Sequence, residues 1–286
     1  MPKQLIVNAD DFGRTHQVSA GILQAHREGI VTSATAMMNM PGAAQDLSAA
    51  LVEAPQLGLG VHLVFTAGRP LLPPEWAPSL IDARGHFHTQ AAILEDPSRL
   101  DPDELRAEFK AQISAFEHAT GRRPDHIDCH HFAHVHSQLF AVYHDVALEF
   151  NLPLRVPFPR RESDLSDAGQ MPGMAALIPA ETIKAIIRVN WQRLAEQPVR
   201  APDRFIVGFF AANVSIEYLL NLLDRLPDGV SELMTHPGFS DETLSAESAY
   251  NAQREVELAV LTDPRVRQRV ADLGIELTTY DVLRAA

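Results

Sequence analysis

Two adjacent carboxylates near the start of the chain could bind a metal ion or act in acid–base catalysis. Asp10 and Asp11 follow the apolar run Leu5-Ile6-Val7 and stand at the C-terminal end of a predicted buried strand, where parallel α/β sheets and barrels build active sites. Neighbouring strand residues point to opposite sides, so the two carboxylates can share a site only if the chain turns sharply at Phe12-Gly13. One would then hold a metal ion while the other acts as a base. The alternative is a pair that only caps the following helix.

A second group of candidate ligands lies near the middle of the chain. Five of the thirteen histidines fall within residues 126–136. On the predicted strand that begins this segment, His126, Asp128 and His130 alternate and therefore share one face. Such a face at a strand end can supply metal ligands together with the carboxylate that orients a ligand imidazole. The flanking strand and helix patterns argue against a low-complexity metal-storage tract.

Two further histidines stand within or just after apolar runs. His62 is the polar residue inside Gly60-Val61-His62-Leu63-Val64, and His236 follows Leu233-Met234-Thr235 and precedes Pro237. If these strands lie in the same sheet, His62 can join Asp11 and the 126–136 cluster as a ligand, and His236 can serve as a general acid for a leaving group. The alternatives are a hydrogen-bonded core histidine and a turn residue.

Short apolar runs and amphipathic helical patterns alternate along the chain and must position these residues. The predicted strands are residues 5–8, 34–38, 59–64, 126–129, 154–156, 205–209, 232–234 and 276–278. The predicted helices include residues 18–27, 102–119, 138–150, 181–197, 216–226 and 250–261.

This alternation predicts an α/β fold with a mostly parallel sheet. Eight strand candidates favour a closed or distorted (β/α) barrel, and a doubly wound open sheet is the alternative. Two long segments, residues 68–99 and 157–179, are expected to leave the catalytic end of the barrel. With no internal repeat and no linker pattern, residues 1–286 are predicted to form a single domain.

The composition limits the classes of partner. The formal net charge of −13 argues against nucleic acid or an anionic membrane surface. Cys129 is the only cysteine, so no intrachain disulfide can form, which favours a cytoplasmic location. No apolar run approaches the ~18 residues of a membrane span, and no signal-peptide pattern is expected at the start.

Four motifs together resemble the YdjC-like carbohydrate deacetylases, of which chitooligosaccharide deacetylase is the best-known type. In chain order they are Asn8-Ala9-Asp10-Asp11-Phe12-Gly13, Gly60-Val61-His62-Leu63, His126-Ile127-Asp128-Cys129-His130 and Thr235-His236-Pro237. The chain departs from the family pattern at Phe132, where a histidine is usual. This departure and the segment Gly68-Arg69-Pro70-Leu71-Leu72-Pro73-Pro74 are also similar to the hopanoid-biosynthesis branch of the family.

The resemblance implies a distorted (β/α) barrel with one divalent metal ion held by Asp11, His62 and His130. It also implies that Asp10 is the general base and His236 the general acid. Mg²⁺ is the ion implied by the family, whereas two imidazoles and one carboxylate favour Zn²⁺. A homodimer is implied as well.

The implied reaction removes the N-acetyl group from N-acetylglucosamine units of chitooligosaccharides, or of a related acetylated sugar, and releases acetate. The alternatives are deacetylation of a hopanoid glycolipid intermediate, another metal-dependent hydrolysis, and a non-catalytic sugar-binding protein. Arg155 is expected to pair with Asp10, and Trp76 to stack on the sugar. The residues expected to bind substrate or support the ligands are Arg155, Asp128, His126, His131, His134 and Trp76.

Overall fold

A computed structural model describes residues 2–165 and 177–284 of the chain. Within these residues seven strands form one sheet, in the order β4-β3-β2-β1-β6-β5, with β7 beside the first half of β1. All pairings between these strands are parallel. The strands are β1 (Lys3–Phe12), β2 (Ser33–Ala36), β3 (Gly58–Leu63), β4 (Ile127–Cys129), β5 (Arg204–Ile206), β6 (Gly229–Thr235) and β7 (Glu276–Leu277).

Ten α-helices are found in the same residues. Of the six predicted helices, two are longer than predicted, by three residues and by one, two are shorter by two residues, and two keep their length but are shifted by one residue. The helices are α1 (His16–Glu28), α2 (Ala43–Glu53), α3 (Gln90–Glu95), α4 (Pro102–Thr120), α5 (Ser137–Glu149), α6 (Ala180–Glu196), α7 (Ile216–Asp224), α8 (Glu242–Glu247), α9 (Ala252–Leu261) and α10 (Pro264–Asp272).

The ends of α4 show how the sequence sets helix boundaries. The Asp101 carboxylate accepts the backbone N–H groups of Asp103 and Glu104, and Pro102 occupies the first helical position, where its missing N–H removes no hydrogen bond. The helix ends at Gly121 with a φ of 67°, a conformation that glycine adopts without a steric cost. One face of α4 is buried against the sheet through Leu105, Phe109, Ile113 and Phe116.

The strand order is that of a barrel opened at one seam. Strands β1 to β4 lie side by side in chain order, and β6 and then β5 follow on the other side of β1. The strands therefore progress in one direction around the sheet, with the gap between β4 and β5, whereas a doubly wound sheet would reverse its winding direction partway. The sheet is therefore a curled, distorted (β/α) barrel, as predicted, and the doubly wound alternative is excluded.

The predicted strand over residues 154–156 is wrong. Leu154 makes only an isolated bridge with Ile127, and its N–H donates to the carbonyl of Arg200, shortly before β5. Pro153 and Pro157 flank the segment and offer no N–H for a ladder, which limits strand pairing. The seam between β4 and β5 is thus crossed by few hydrogen bonds: Ile127 donates to the Pro153 carbonyl and accepts the N–H of Arg155, and a single hydrogen bond reaches Arg200.

The two long segments differ in how far they are described. Residues 68–99 contain short 3₁₀ turns and α3, and Glu108 of α4 fixes their start by accepting the N–H groups of Leu71 and Leu72. Part of the segment 157–179 lies outside the described residues. Among the described residues, one hydrophobic core includes side chains from the sheet and from the helices around it, and none of the helices there is both long and apolar enough to cross a membrane.

Candidate active site

The chain turns sharply at Phe12-Gly13, as predicted: the Arg14 N–H donates to the Asp11 carbonyl at 3.0 Å, and Gly13 has a φ of 81°. A bulge inside β1, just before this turn, brings the adjacent carboxylates to one site. The register of β1 against β2 shifts between Ala9 and Phe12, and Asp11 has a φ of 69°. This left-handed conformation is uncommon for a residue other than glycine, and aspartate is among those that tolerate it best. The bulge breaks the alternation of side chains, so Asp10 and Asp11 are both buried and both lie beside His62.

Asp11, His62 and His130 form a compact group of three potential ligands. Asp11 Oδ1 lies 2.9 Å from His130 Nδ1 and 3.3 Å from His62 Nε2, and the two ring nitrogens are 3.2 Å apart. Ligands at about 2.0–2.2 Å from one divalent ion have separations of this size. Although Asp11 Oδ1 is buried, it makes no hydrogen bond among the described residues. The three side chains therefore fit a shared metal ion.

Buried partners orient these ligands from behind. Asp128 accepts from His62 Nδ1 at 2.7 Å and from the Thr35 hydroxyl at 2.9 Å, so His62 presents Nε2 to the ligand group. Arg254 of α9 donates from Nη2 to Asp11 Oδ2, which leaves Oδ1 as the free carboxylate oxygen. A carboxylate or arginine behind each ligand fixes its orientation in many metal sites. Asp128 was expected here from the sequence, whereas Thr35 and Arg254 were not.

The two ligand imidazoles have opposite protonation tendencies in the metal-free chain. Burial opposes the charge on His62, but the carboxylates of Asp128 and Asp11 outweigh it and raise the pKa of His62 to about 10. Burial lowers the pKa of His130 to about 4, although Asp11 opposes it. Metal binding at this group would therefore displace a proton from His62, since ligand nitrogens must be unprotonated.

Asp10 is held in a separate charge network on the other side of His62. Arg155 donates two hydrogen bonds of 2.7 Å to the two oxygens of Asp10, and Asn8 Nδ2 donates to Oδ1 at 2.9 Å. The same guanidinium donates from Nε to Glu232 at 2.8 Å, and Glu232 accepts from the Tyr280 hydroxyl at 2.6 Å. These contacts already satisfy the Asp10 carboxylate, so Asp10 is better placed as a base than as a ligand.

His236 directly follows β6 and lies at the mouth of the site. Its ring meets Phe210 and Tyr250 edge-to-face, with centroid separations of 5.5 and 5.6 Å. Glu257 of α9 accepts the backbone N–H of His236 and the hydroxyl of Tyr250. The buried Nδ1 of the His236 ring lies 3.8 Å from a carboxylate oxygen of Glu257. His236 lines both an inner cavity and an outer cleft, so it is placed to contact a bound molecule.

Two cavities meet at these residues. An inner cavity of about 210 Å³ is lined by Asp10, His62, His130, Arg155 and His236, among others. A larger outer cleft of about 760 Å³ shares His130, His131, Phe210 and His236 with it and is also lined by Asp11 and Arg254. The ligand group and the paired carboxylate therefore face space that a small molecule can enter.

Other predicted residues lie in different places. His131 is exposed, bonds to the Thr66 hydroxyl at 2.9 Å and lines both cavities. His126 is fully buried against the ring of Tyr280, with centroids 3.6 Å apart, and lines neither cavity. Trp76 is 67% exposed and also lines neither. The structure thus does not bring His126 and Trp76 to the site.

His134 and Phe132 belong to the wall behind the inner cavity. His134 is 1% exposed, packs against Tyr143 and Phe132, and makes no ring hydrogen bond within the described residues. Phe132 is buried and lines the inner cavity. At the position where the family pattern has a histidine, this chain therefore has an apolar wall.

The fold and this site define a barrel-like α/β protein with a candidate metal centre at the carboxyl ends of its parallel strands. The sequence model of the YdjC-like protein family matches residues 4–272, and the chain belongs to that family.

Curated relatives match along nearly the whole chain. A carbohydrate deacetylase of Geobacillus stearothermophilus is 36% identical over 283 residues, with 98% of each chain covered. A chitooligosaccharide deacetylase of Yersinia enterocolitica is 35% identical, covering 98% of this chain and 99% of its own. A crystal structure of an Enterococcus faecalis protein, described as a candidate cellobiose-phosphate cleavage protein, has a TM-score of 0.83 at 35% identity and covers 99% of both chains.

Proposed function

We propose that the protein is a metal-dependent carbohydrate deacetylase. Its substrate would be the N-acetyl group on N-acetylglucosamine units of chitooligosaccharides or of a related acetylated sugar, and acetate would be a product. The observation that carries the proposal is the convergence of Asp11, His62 and His130 beside the arginine-paired Asp10. The names of the relatives, carbohydrate deacetylase and chitooligosaccharide deacetylase, agree with it.

Each protein group has a task in amide hydrolysis. Asp11, His62 and His130 would hold the divalent ion, which polarises the acetamide carbonyl and makes a bound water more acidic. Asp10, kept in position by Arg155, accepts the proton of the attacking water. His236 donates a proton to the departing sugar amine, so that the C–N bond breaks to give a neutral amine and acetic acid. The acid loses its remaining proton to solvent to become acetate, and Asp10 gives up its proton as His236 is protonated again. Asp128 and Arg254 keep the ligands oriented throughout.

The identity of the ion is part of the proposal. The family resemblance favours Mg²⁺, whereas two imidazoles and one carboxylate favour Zn²⁺ or another late transition ion. Elemental analysis of protein purified without added metal, followed by reconstitution with each ion, distinguishes the two.

A homodimer and a cytoplasmic location complete the proposal. Light scattering of the purified chain tests the dimer, and fractionation of cells that express it tests the location.

The test of the proposed reaction is acetate release from N,N′-diacetylchitobiose. The full chain is stripped with a chelator, reloaded with one divalent ion and compared with the stripped sample. We expect release that disappears on chelation and returns on reloading. Protein that binds the ion and remains folded, but releases no acetate from chitobiose or longer chitooligosaccharides, would contradict the proposed function.

A further inference from the structure

Phe210 occupies a position that the proposed reaction does not by itself explain. It follows β5 and is the one residue that lines the inner cavity, the outer cleft and a third described cavity of about 440 Å³ beside residues 157–161. Its ring is half-buried and touches His236 edge-to-face. A partly exposed aromatic ring at the junction of three cavities is placed to contact whatever enters any of them.

The ring is held rigidly from behind. One face stacks on Tyr250, with centroids 4.4 Å apart and an interplanar angle of 7°. Ala211, the next residue, has a φ of 52°, a strained conformation for alanine. Its N–H donates to the Tyr250 hydroxyl at 3.2 Å, which in turn donates to Glu257. Glu257 also accepts the backbone N–H of His236. The same carboxylate therefore holds both the Phe210 segment, through Tyr250, and His236, the proposed acid.

A polar group enters the inner cavity from residues 68–99. Gln90, the first residue of α3, lines that cavity together with Phe210 and His236. Its Nε2 atom is buried and has no hydrogen-bond partner within the described residues. A buried amide donor without a partner is costly, and a ligand oxygen in the cavity would satisfy it.

An aromatic face beside a free amide donor suits one chemical class of ligand. A pyranose ring has an apolar face of C–H groups, which packs on an aromatic ring, and hydroxyl or acyl oxygens around its edge that accept hydrogen bonds. We propose that Phe210 and Gln90 form the subsite that binds the pyranose ring of the acetylated sugar and sets it beside His236. This inference rests on the proposed function and names the residues that select its substrate.

Direct binding and turnover together test the subsite. The variants are Phe210→Leu, Phe210→Tyr and Gln90→Met, with Val52→Ala, an exposed apolar side chain outside the cavities, as the control. The KM and kcat for N,N′-diacetylchitobiose are measured on the metal-loaded full chain. The Kd of the same disaccharide is measured by calorimetry in an Asp10→Asn background, where turnover is blocked. Metal content and thermal midpoint are recorded for every variant.

We expect Phe210→Leu to raise KM and Kd about tenfold or more, with metal content unchanged. Gln90→Met should raise both about three- to tenfold, while Phe210→Tyr and Val52→Ala stay within about twofold of their parents. Binding by Phe210→Leu and Gln90→Met as tight as the parent's would overturn the subsite, as would equal losses in Phe210→Leu and Phe210→Tyr. If the unaltered chain releases acetate in either case, the proposed function survives. If it neither binds the disaccharide nor releases acetate, both proposals fail.

Discussion

Arg155 and Asp10 form a two-pronged ion pair, with both N–H···O distances at 2.7 Å and both side chains almost fully buried. The same guanidinium lies 2.9 Å from Asp128 and 2.7 Å from Glu232. Three carboxylates thus surround one guanidinium, so the cluster keeps a net negative charge that His62 or a metal ion must offset. The two-pronged pairing fixes the position and direction of the Asp10 carboxylate, and therefore the place where a proton is taken from water in the proposed reaction.

Replacing Asp10 with Asn should stop turnover without emptying the metal site. Asparagine keeps the size of the side chain but cannot accept a proton from water, and the removal of a general base costs about 10²–10⁴-fold in rate. We expect kcat for acetate release to fall by about 10²-fold or more, while the metal content stays close to that of the unaltered chain. The measurements are acetate release and elemental analysis on the same sample.

The partner variant Asp11→Asn provides the contrast. It removes an oxygen of the ligand group, so metal content should fall first and activity with it. If Asp10→Asn lost as much metal as Asp11→Asn, the roles of the two aspartates would have to be exchanged.

Two variants of Arg155 should separate its contribution to the stability of the fold from its role in orienting the Asp10 carboxylate. Arg155→Met leaves Asp10, Asp128 and Glu232 without their shared cation, and breaking such a buried pair costs about 3–5 kcal/mol in the free energy of unfolding. Arg155→Lys keeps a charge but loses the two-pronged geometry, so it should fold while kcat falls about tenfold or more. Urea unfolding and steady-state kinetics measure the two effects, with the exposed Arg122→Met as control. Normal kcat in Arg155→Lys would show that Asp10 does not need this orientation.

Much of this candidate site could be predicted from the sequence because its proposed ligands lie at strand ends. His62 lies near the end of β3, His130 directly after β4 and His236 directly after β6. Parallel strands bring such positions to one edge of the sheet whatever the details of their loops. The prolines on both sides of residues 154–156 were a visible signal against the strand predicted there, and Arg155 reaches Asp10 without it.

The rest depended on contacts with no local sequence signal. The bulge at Asp11 is a single change in backbone conformation, which leaves the apolar pattern of β1 intact. Arg254 lies on an amphipathic helix more than two hundred residues from Asp11, where an inward arginine looks like any surface charge. Phe210 and Tyr250 become neighbours only through the packing of the loop after β5 against the segment before α9. Trp76 was predicted to stack on the sugar because it is one of the few aromatic residues in a long loop, and in the structure it is exposed and lines neither the inner cavity nor the outer cleft.

Arg254 should control how tightly the metal is held. It occupies Asp11 Oδ2 and so presents Oδ1 to the ion. Loss of such a supporting contact typically lowers metal affinity about 10–100-fold. We expect this loss in Arg254→Gln by metal titration calorimetry, with a smaller loss in Arg254→Lys, which keeps the charge. Arg265→Gln, an exposed arginine whose pairing is with Asp263, is the control. Unchanged affinity in Arg254→Gln would exclude a role for this arginine in orienting Asp11.

His134 should make the protein lose stability in mild acid. Burial lowers the pKa of His134 to about 3, whereas its ordinary value is 6.5. Between these two pH values His134 is therefore protonated in the unfolded chain and neutral in the folded chain. This contribution to the free energy of unfolding is fully present above pH 6.5 and is lost as the pH falls from 6.5 towards 3.

His134→Phe keeps a ring between Phe132 and Tyr143 and removes the titration. Between pH 7.5 and 5, the loss of unfolding free energy should therefore be about 1–2 kcal/mol smaller in this variant than in the unaltered chain. Urea unfolding of both proteins in chelator at the two pH values measures this difference. Because each protein is compared with itself, any constant packing cost of the larger ring cancels. Equal losses in the two proteins would mean that His134 is protonated in the folded chain, which would require a polar partner for a ring now packed among aromatic side chains.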